Sequence, residues 1–221
     1  MTDVFCGYDE RESVGFHVFV SSLLRRASGP VSIRPLGARG LLEGTNSFTL
    51  SRFLVPELMQ YRGRAIFVDA CDMLMQADIA ELEGLFDERY AVQVVKHPSY
   101  ETRHPLKYRG TEMMTKNHNY WRKNWASVML INCSHPAWKL VASAMRQTKN
   151  ALPWLQFDHM AADEIGGLPD HWNRLVDEGQ AVENAKILHW TAGIPGFVDC
   201  YSDAPGAALW RAARDVMERA G

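Results

Sequence analysis

The chain has 221 residues, 47% of them hydrophobic, enough to bury a substantial core in one domain or in one domain with an elaborated lobe. Its formal net charge is −2, so no overall basic field marks it for nucleic acid or for an anionic membrane surface. The four cysteines, Cys6, Cys71, Cys133 and Cys200, lie far apart with no C-x-x-C pair, which argues against a zinc knuckle or a disulfide scaffold and for reduced thiols in a cytosol-like compartment.

The opening MTDVFCGYDERES lacks the basic segment and apolar stretch of a signal peptide, and no later run approaches the ~20 apolar residues of a membrane span. A cytoplasmic protein is expected. Residues 3–7 read as a first strand, and 12–26 as an amphipathic helix carrying Val14, Val18 and Leu24 and closing on Arg25-Arg26. Ser28-Gly29-Pro30 breaks it, 31–36 is a second strand, and 37–46 is a Gly-rich loop. Residues 48–59 predict a helix bent or restarted at Pro56, before a buried strand over 65–68. Further helices are expected over 79–86, 136–148 and 207–220, and further strands over 91–96, 128–132 and at 188–190. A β-α-β-α-β opening of this kind predicts an α/β fold with a mostly parallel sheet flanked by helices.

Asp69 and Asp72 stand where that buried strand ends, in FVDACDMLMQADIAEL. Carboxylates just past such a strand emerge where open α/β sheets bind ligands, and two anions held together call for a cation. Mn2+ or Mg2+ would accept their oxygens and bridge them to substrate phosphates. The plainer alternative is a loop in which Asp69 ends the strand and Asp72 or Asp78 caps the next helix; for Asp78 the cap is the preferred reading. The segment 97–127 is long, polar and without regular period, and interleaves lysines and arginines with Tyr100, Tyr108, Tyr120, Trp121 and Trp125. Such a loop is a lid or an acceptor surface, or else an insertion whose charges are merely solvated.

Taken in order, FTLSRFLVPELM, FVDACDMLMQADIAEL, SVMLIN, ADEIGGLPDHWNRL and ILHWTAGIPGF resemble the motifs of the GT-A glycosyltransferases, specifically the galactosyltransferase and glycogenin group classed as family eight. The resemblance runs from Asp3 to about Phe197. It implies a GT-A, Rossmann-like nucleotide-diphospho-sugar transferase fold spanning 1–221, with 97–127 as the lid or acceptor insertion. It implies a nucleotide-sugar donor, a UDP-sugar, and a carbohydrate or other hydroxyl acceptor, with retention of anomeric configuration. Arg52 would reach the donor, Gly7, Tyr8 and Asp9 would meet its base and ribose, and Gly193 would keep the last loop open to the diphosphate. His189 would be the third metal ligand beside Asp69 and Asp72. Asp163 and Glu164 match an Asp-Gln pair near the reacting sugar, and glutamate in place of glutamine would favour a covalent nucleophile.

The chain departs from that pattern in three places. Its acidic motif is D-x-x-D, with Ala70 where the first metal aspartate belongs, so that a strand-end bulge is needed to bring Asp69 to the ion. Pro195 stands in place of a phosphate-binding lysine, which Arg52 or a basic residue of 97–127 would have to replace, and Trp125 replaces an acceptor-side asparagine. Gly7-Tyr8-Asp9 equally fits a plain turn with Asp9 as a helix cap. Two other readings stay open. A nucleotidyltransferase would need a Gly-rich basic phosphate loop that GYDERESVG does not offer, whereas a non-catalytic nucleotide-sugar or glycan-binding protein would tolerate the altered motifs.

Overall fold

The computed structural model describes residues 1–37, 46–197 and 201–219. Most of the Gly-rich loop expected over 37–46 and Cys200 lie outside them. The strands in chain order are β1 (Thr2–Gly7), β2 (Val31–Leu36), β3 (Arg64–Val68), β4 (Met73–Met75), β5 (Val92–Val94), β6 (Leu106–Lys107), β7 (Thr115–Lys116), β8 (Val128–Asn132), β9 (Ile165–Gly167), β10 (Arg174–Leu175) and β11 (Ile187–His189). The α-helices are α1 (Ser13–Leu24), α2 (Val55–Leu58), α3 (Ile79–Glu83), α4 (Val141–Arg146), α5 (Leu152–Leu155) and α6 (Ala207–Arg219).

Six strands form the central sheet in the order β2-β1-β3-β8-β5-β9. Only β8 runs against its neighbours; the other pairs in the sheet are parallel. Ala65–Val68 and Val128–Ile131 are buried without alternation, as strands covered on both faces must be. A smaller sheet, β10-β11-β4, stands beside it, and β6 pairs with β7 in a hairpin within the 97–127 segment. Strands β4, β9 and β10 were not foreseen, since two or three residues are too few to show a period.

Several expected helices are shorter or broken. Residues 51–54 form a 3₁₀ turn ahead of α2, whose first turn holds Pro56, and 136–138 form another ahead of α4. Proline has no N–H to donate and is best placed in the opening turn, so it starts a new helix rather than continuing the old one. Helix α1 buries Val18 as expected, but not the other two apolar residues of that stripe. Val14 and Leu24 are half-exposed, while Gly15, Phe16, Val18, Phe19, Ser22 and Leu23 are buried. The helix packs on both β4 and α6, so its covered face is wider than a single stripe.

Gly15 sets how closely α1 approaches the turn after β3. A Cβ added there would lie 1.9 Å from the Cys71 carbonyl oxygen, a contact that backbone on both sides would have to relieve. Gly15→Ala is therefore expected to destabilise the fold by roughly 3 kcal/mol, the upper part of the usual overpacking range. At about 2–4 °C per kcal/mol for a chain of this size, the unfolding midpoint should fall by about 6–12 °C. Gly29, with open space around its missing side chain, provides the matched control, and an equal fall in Gly29→Ala would remove the explanation.

Candidate functional site

Strand β3 ends at Val68, and the chain turns at once. Ala70 takes the left-handed conformation at φ 60, Cys71 N–H donates to the Asp69 carbonyl at 2.7 Å, and Met73 N–H donates to the Ala70 carbonyl at 3.1 Å. This tight turn does what a strand-end bulge was expected to do, absorbing the extra residue of D-x-x-D. A non-glycine residue in this conformation costs on the order of 1–2 kcal/mol, and strain of that kind collects at functional sites. Past the turn, β4 pairs antiparallel with β11 so that Met73 faces His189, and Trp190 N–H donates to the Asp72 carbonyl at 2.9 Å. The register of that pair carries His189 to Asp72 from the far end of the chain.

Asp69, Asp72 and His189 are all buried, and one ligand atom from each lies within 4.8 Å of the others. His189 Nε2 is 3.3 Å from Asp72 Oδ2, and Nδ1 is 2.8 Å from Asn173 Oδ1. Asn173 Nδ2 donates to the Asn124 carbonyl at 3.1 Å, which fixes the amide so that its oxygen accepts from Nδ1–H. Nε2 is thereby the nitrogen left for a cation, an outer-shell arrangement typical of metal-binding histidines. Asp72 Oδ1 is buried with no hydrogen-bond partner. Two carboxylates, one imidazole and an orphaned oxygen suit Mn2+ or Mg2+.

The electrostatics agree with a site short of positive charge. Burial pushes the Asp69 carboxyl up, and the opposing Arg52 does not fully reverse it. Burial works against ionised Asp72 as well, but His189 holds it below the usual carboxylate range. Burial also disfavours a charged His189, yet Asp72, and behind it Asp69 and Asp177, keep the imidazole above its ordinary value. Glu12, at the start of α1, adds a fourth acid. Burial, and then Asp72, push its carboxyl up to about 8, and its Oε1 has no partner. Nothing in the local sequence distinguishes Glu12 from a surface helix start.

Asp69, Asp72 and His189 open on a cleft of about 360 Å³. The 97–127 segment supplies much of its wall, including Lys107, Tyr108, Lys116, Tyr120 and Lys123. Three contacts pin that segment to the loop after β10: Thr102 Oγ1 donates to Glu178, Arg103 N–H donates to Glu178 Oε2 at 2.8 Å, and His104 Nε2 lies 3.0 Å from the Asp177 carbonyl oxygen. Tyr108 N–H donates to the Ala192 carbonyl at 2.7 Å, which sets Lys107 beside the turn that holds Pro195. Lys107 acts electrostatically on Asp72 and Glu12.

The remaining sequence-based candidates are placed differently. Arg52 lines the cleft but is committed to protein: Nη1 is 2.7 Å from Asp69 Oδ1 and from the Ala126 carbonyl, and Nε donates to the Thr49 carbonyl at 3.0 Å. Gly7 is filled rather than open, since a Cβ there would meet the Phe48 ring at 2.4 Å. Tyr8 packs edge-on against Phe16 at 5.0 Å. Asp9 is the helix cap of the alternative reading, accepting from Arg11 N–H at 3.1 Å and Ser47 N–H at 3.0 Å and pairing with Arg11. Gly193, at φ 143, makes room for the Tyr201 ring, which an added Cβ would meet at 2.5 Å. None of these four lines the cleft. Asp163 and Glu164 are not brought to it either. They precede β9, which runs parallel to β5 and in the direction of β3, so they sit at the amino end of the sheet while Asp69 follows a carboxyl end. Glu164 instead caps its own turn, accepting from Ala161 N–H at 2.9 Å.

The sheet order, the single reversed strand and an acidic turn at a carboxyl edge define a GT-A fold, and solved glycosyltransferase structures superpose on it. The bifunctional glycosyltransferase WbbM matches with a TM-score of 0.66 at 11% identity, over 96% of this chain and 49% of that one. The galactosyltransferase LgtC, solved with donor and acceptor sugar analogs, matches with 0.62 at 12% identity over 97% and 96%. GlyE of Streptococcus pneumoniae TIGR4 matches with 0.64 at 14% identity, over 99% of this chain and 63% of its own. The present chain thus spans about half of WbbM and less than two thirds of GlyE. No family model matches the chain. It is 37% identical over 224 residues to Protein CDI of Arabidopsis thaliana, an alignment that takes in 94% of this chain and 83% of that protein, and it belongs to the same family.

Proposed function

We propose that the protein is a metal-assisted glycosyltransferase of the family-eight type, moving a sugar from a nucleotide-diphospho-sugar, a UDP-sugar, to a hydroxyl acceptor with retention. The observation that carries this reading is the buried Asp69–Asp72–His189 group at the carboxyl edge of β3, open to a 360 Å³ cleft. Asp69, Asp72 and His189 would hold Mn2+ or Mg2+, which when bound supplies a Lewis acid that neutralises the departing diphosphate. Asn173 keeps His189 in the ligating orientation, and Lys107 offers the diphosphate a cation near the place vacated at Pro195. The whole chain acts as one unit, with 97–127 as its acceptor-side lid. Apart from the two metal carboxylates, the described lining of the cleft has no acid, so a covalent nucleophile has no candidate there. Three buried unpaired thiols, Cys6, Cys71 and Cys133, fit a reducing cytoplasmic setting. Among the described residues no helix is long and apolar enough to cross a membrane.

The test is a titration with UDP-, GDP- and CMP-sugars, with and without Mn2+, followed by the thermal unfolding midpoint. A ligand that binds only the folded state raises the midpoint by mass action, and the expected result is a rise with a UDP-sugar that requires Mn2+. No rise with any of the three would overturn the donor assignment. The second reading, a binding protein without catalysis, is favoured by the Arg52–Asp69 pair and the altered motifs. Divalent-dependent hydrolysis of the sugar nucleotide without acceptor separates the two.

A further inference from the structure

The wall of the cleft that faces the acidic group is rich in cations. Among the described residues the lining contains four cationic side chains, Arg52, Lys107, Lys116 and Lys123, and two carboxylates, Asp69 and Asp72. Arg52 is paired with Asp69, Lys107 lies close enough to Asp72 to act on it, and Lys116 is exposed to solvent.

Lys123 is the buried cation held directly only by a neutral partner. Its side chain is buried, its Nζ donates to the neutral Asn117 Oδ1 at 2.8 Å, and it makes no ion pair among the described residues. The rings of Tyr100 and Tyr120 lie 5.5 and 6.0 Å from the ammonium. The acids that act on it electrostatically, Glu178 and Asp177, accept from Thr102 and Arg103 and from the Ala192 N–H, with Asp177 Oδ1 left without a hydrogen-bond partner, and neither forms an ion pair with Lys123 among the described residues. Keeping a buried cation unpaired is costly unless a ligand completes it. We propose that Lys123 marks an anion subsite on the acceptor side of the cleft, so that the acceptor is a sugar or other hydroxyl compound bearing a phosphate or carboxylate. The proposal rests on the glycosyl-transfer reading. Burial, followed by Lys107, pushes the Lys123 ammonium down to about 8, against the opposing pull of Glu178 and Asp177. An anion placed beside it would draw in a proton near that pH.

The experiment measures binding of glucose, glucose 6-phosphate and glucuronic acid by calorimetry at pH 8, in two buffers of different ionisation heat, with Mn2+ and saturating UDP present. The expected result is that one of the anionic sugars binds at least tenfold more tightly than glucose with proton uptake. Lys123→Met should remove that preference and Lys123→Arg should keep it. Glucose 6-phosphate and glucuronic acid distinguish a phosphate from a carboxylate. Equal binding of all three sugars, or an unchanged preference in Lys123→Met, would overturn the proposal. UDP binding in the presence of Mn2+ is recorded first, so a missing donor site is distinguished from a missing acceptor anion site.

Discussion

Asp72→Asn is expected to weaken metal-dependent binding and turnover of the nucleotide-sugar by about 10²- to 10³-fold, the scale on which a preorganised electrostatic contact acts in a water-poor site. The substitution keeps the shape of the side chain and its backbone contact to Trp190, and removes a charge. It strips the candidate centre of one anionic ligand and His189 of its nearest counter-charge. The imidazole can answer by giving up its proton, which leaves no stranded ion, so the fold should survive. Mn2+ titration and the donor-induced shift in unfolding midpoint should both collapse while the midpoint of the free protein moves little. Full metal-dependent binding in the variant would sink the metal assignment.

Arg52→Ala is expected to act on the fold as much as on the site. Arg52 and Asp69 are buried together, and the guanidinium also donates to the Thr49 and Ala126 carbonyls. It lies near Phe67 and Phe48, with Cζ 5.0 and 5.6 Å from the ring centres. Removing one partner of a buried pair costs about 3–5 kcal/mol, because the other charge is left without compensation. For a chain of this size that is a fall of about 6–20 °C in the unfolding midpoint. The Arg52→Ala, Asp69→Asn double variant should recover part of the loss, since a neutral amide in place of the carboxylate would no longer need a counter-charge. Additive losses in that cycle would show that Arg52 acts through packing alone. Saturating Mn2+ should also stabilise the single variant more than it stabilises the parent protein.

Much of the candidate metal centre could be read from the sequence because its parts are signalled locally. An apolar run ending in acids marks Asp69 and Asp72, and Asp78 caps α3 as its spacing before Ile79 implies, accepting from Ala80 N–H at 3.0 Å. The polar, aromatic-rich character of 97–127 fits a lid or a solvated insertion alike, and the structure places several of its residues in the wall of the cleft. The residues expected to meet a donor are less legible. Gly7-Tyr8-Asp9 and Gly193 look alike as ligand loops and as packing turns until the rings of Phe48, Phe16 and Tyr201 are in place. Asp163 and Glu164 matched a motif, but a motif does not say at which end of a strand its acids will stand.

The α/β alternation, the buried strands at 65–68 and 128–131, and the breaks at Pro30 and Pro56 are written into local runs of residues, because hydrophobic period and proline's missing donor act within a few residues. The pairing of β4 with β11 that brings His189 to Asp72, the left-handed turn at Ala70 that accommodates D-x-x-D, and the uptake of Arg52 by Asp69 came with the folded arrangement. So did the burial of Glu12 and Lys123 beside the cleft. These outcomes depend on strand direction, register and the compensation of buried charge, which are properties of residues far apart in the chain.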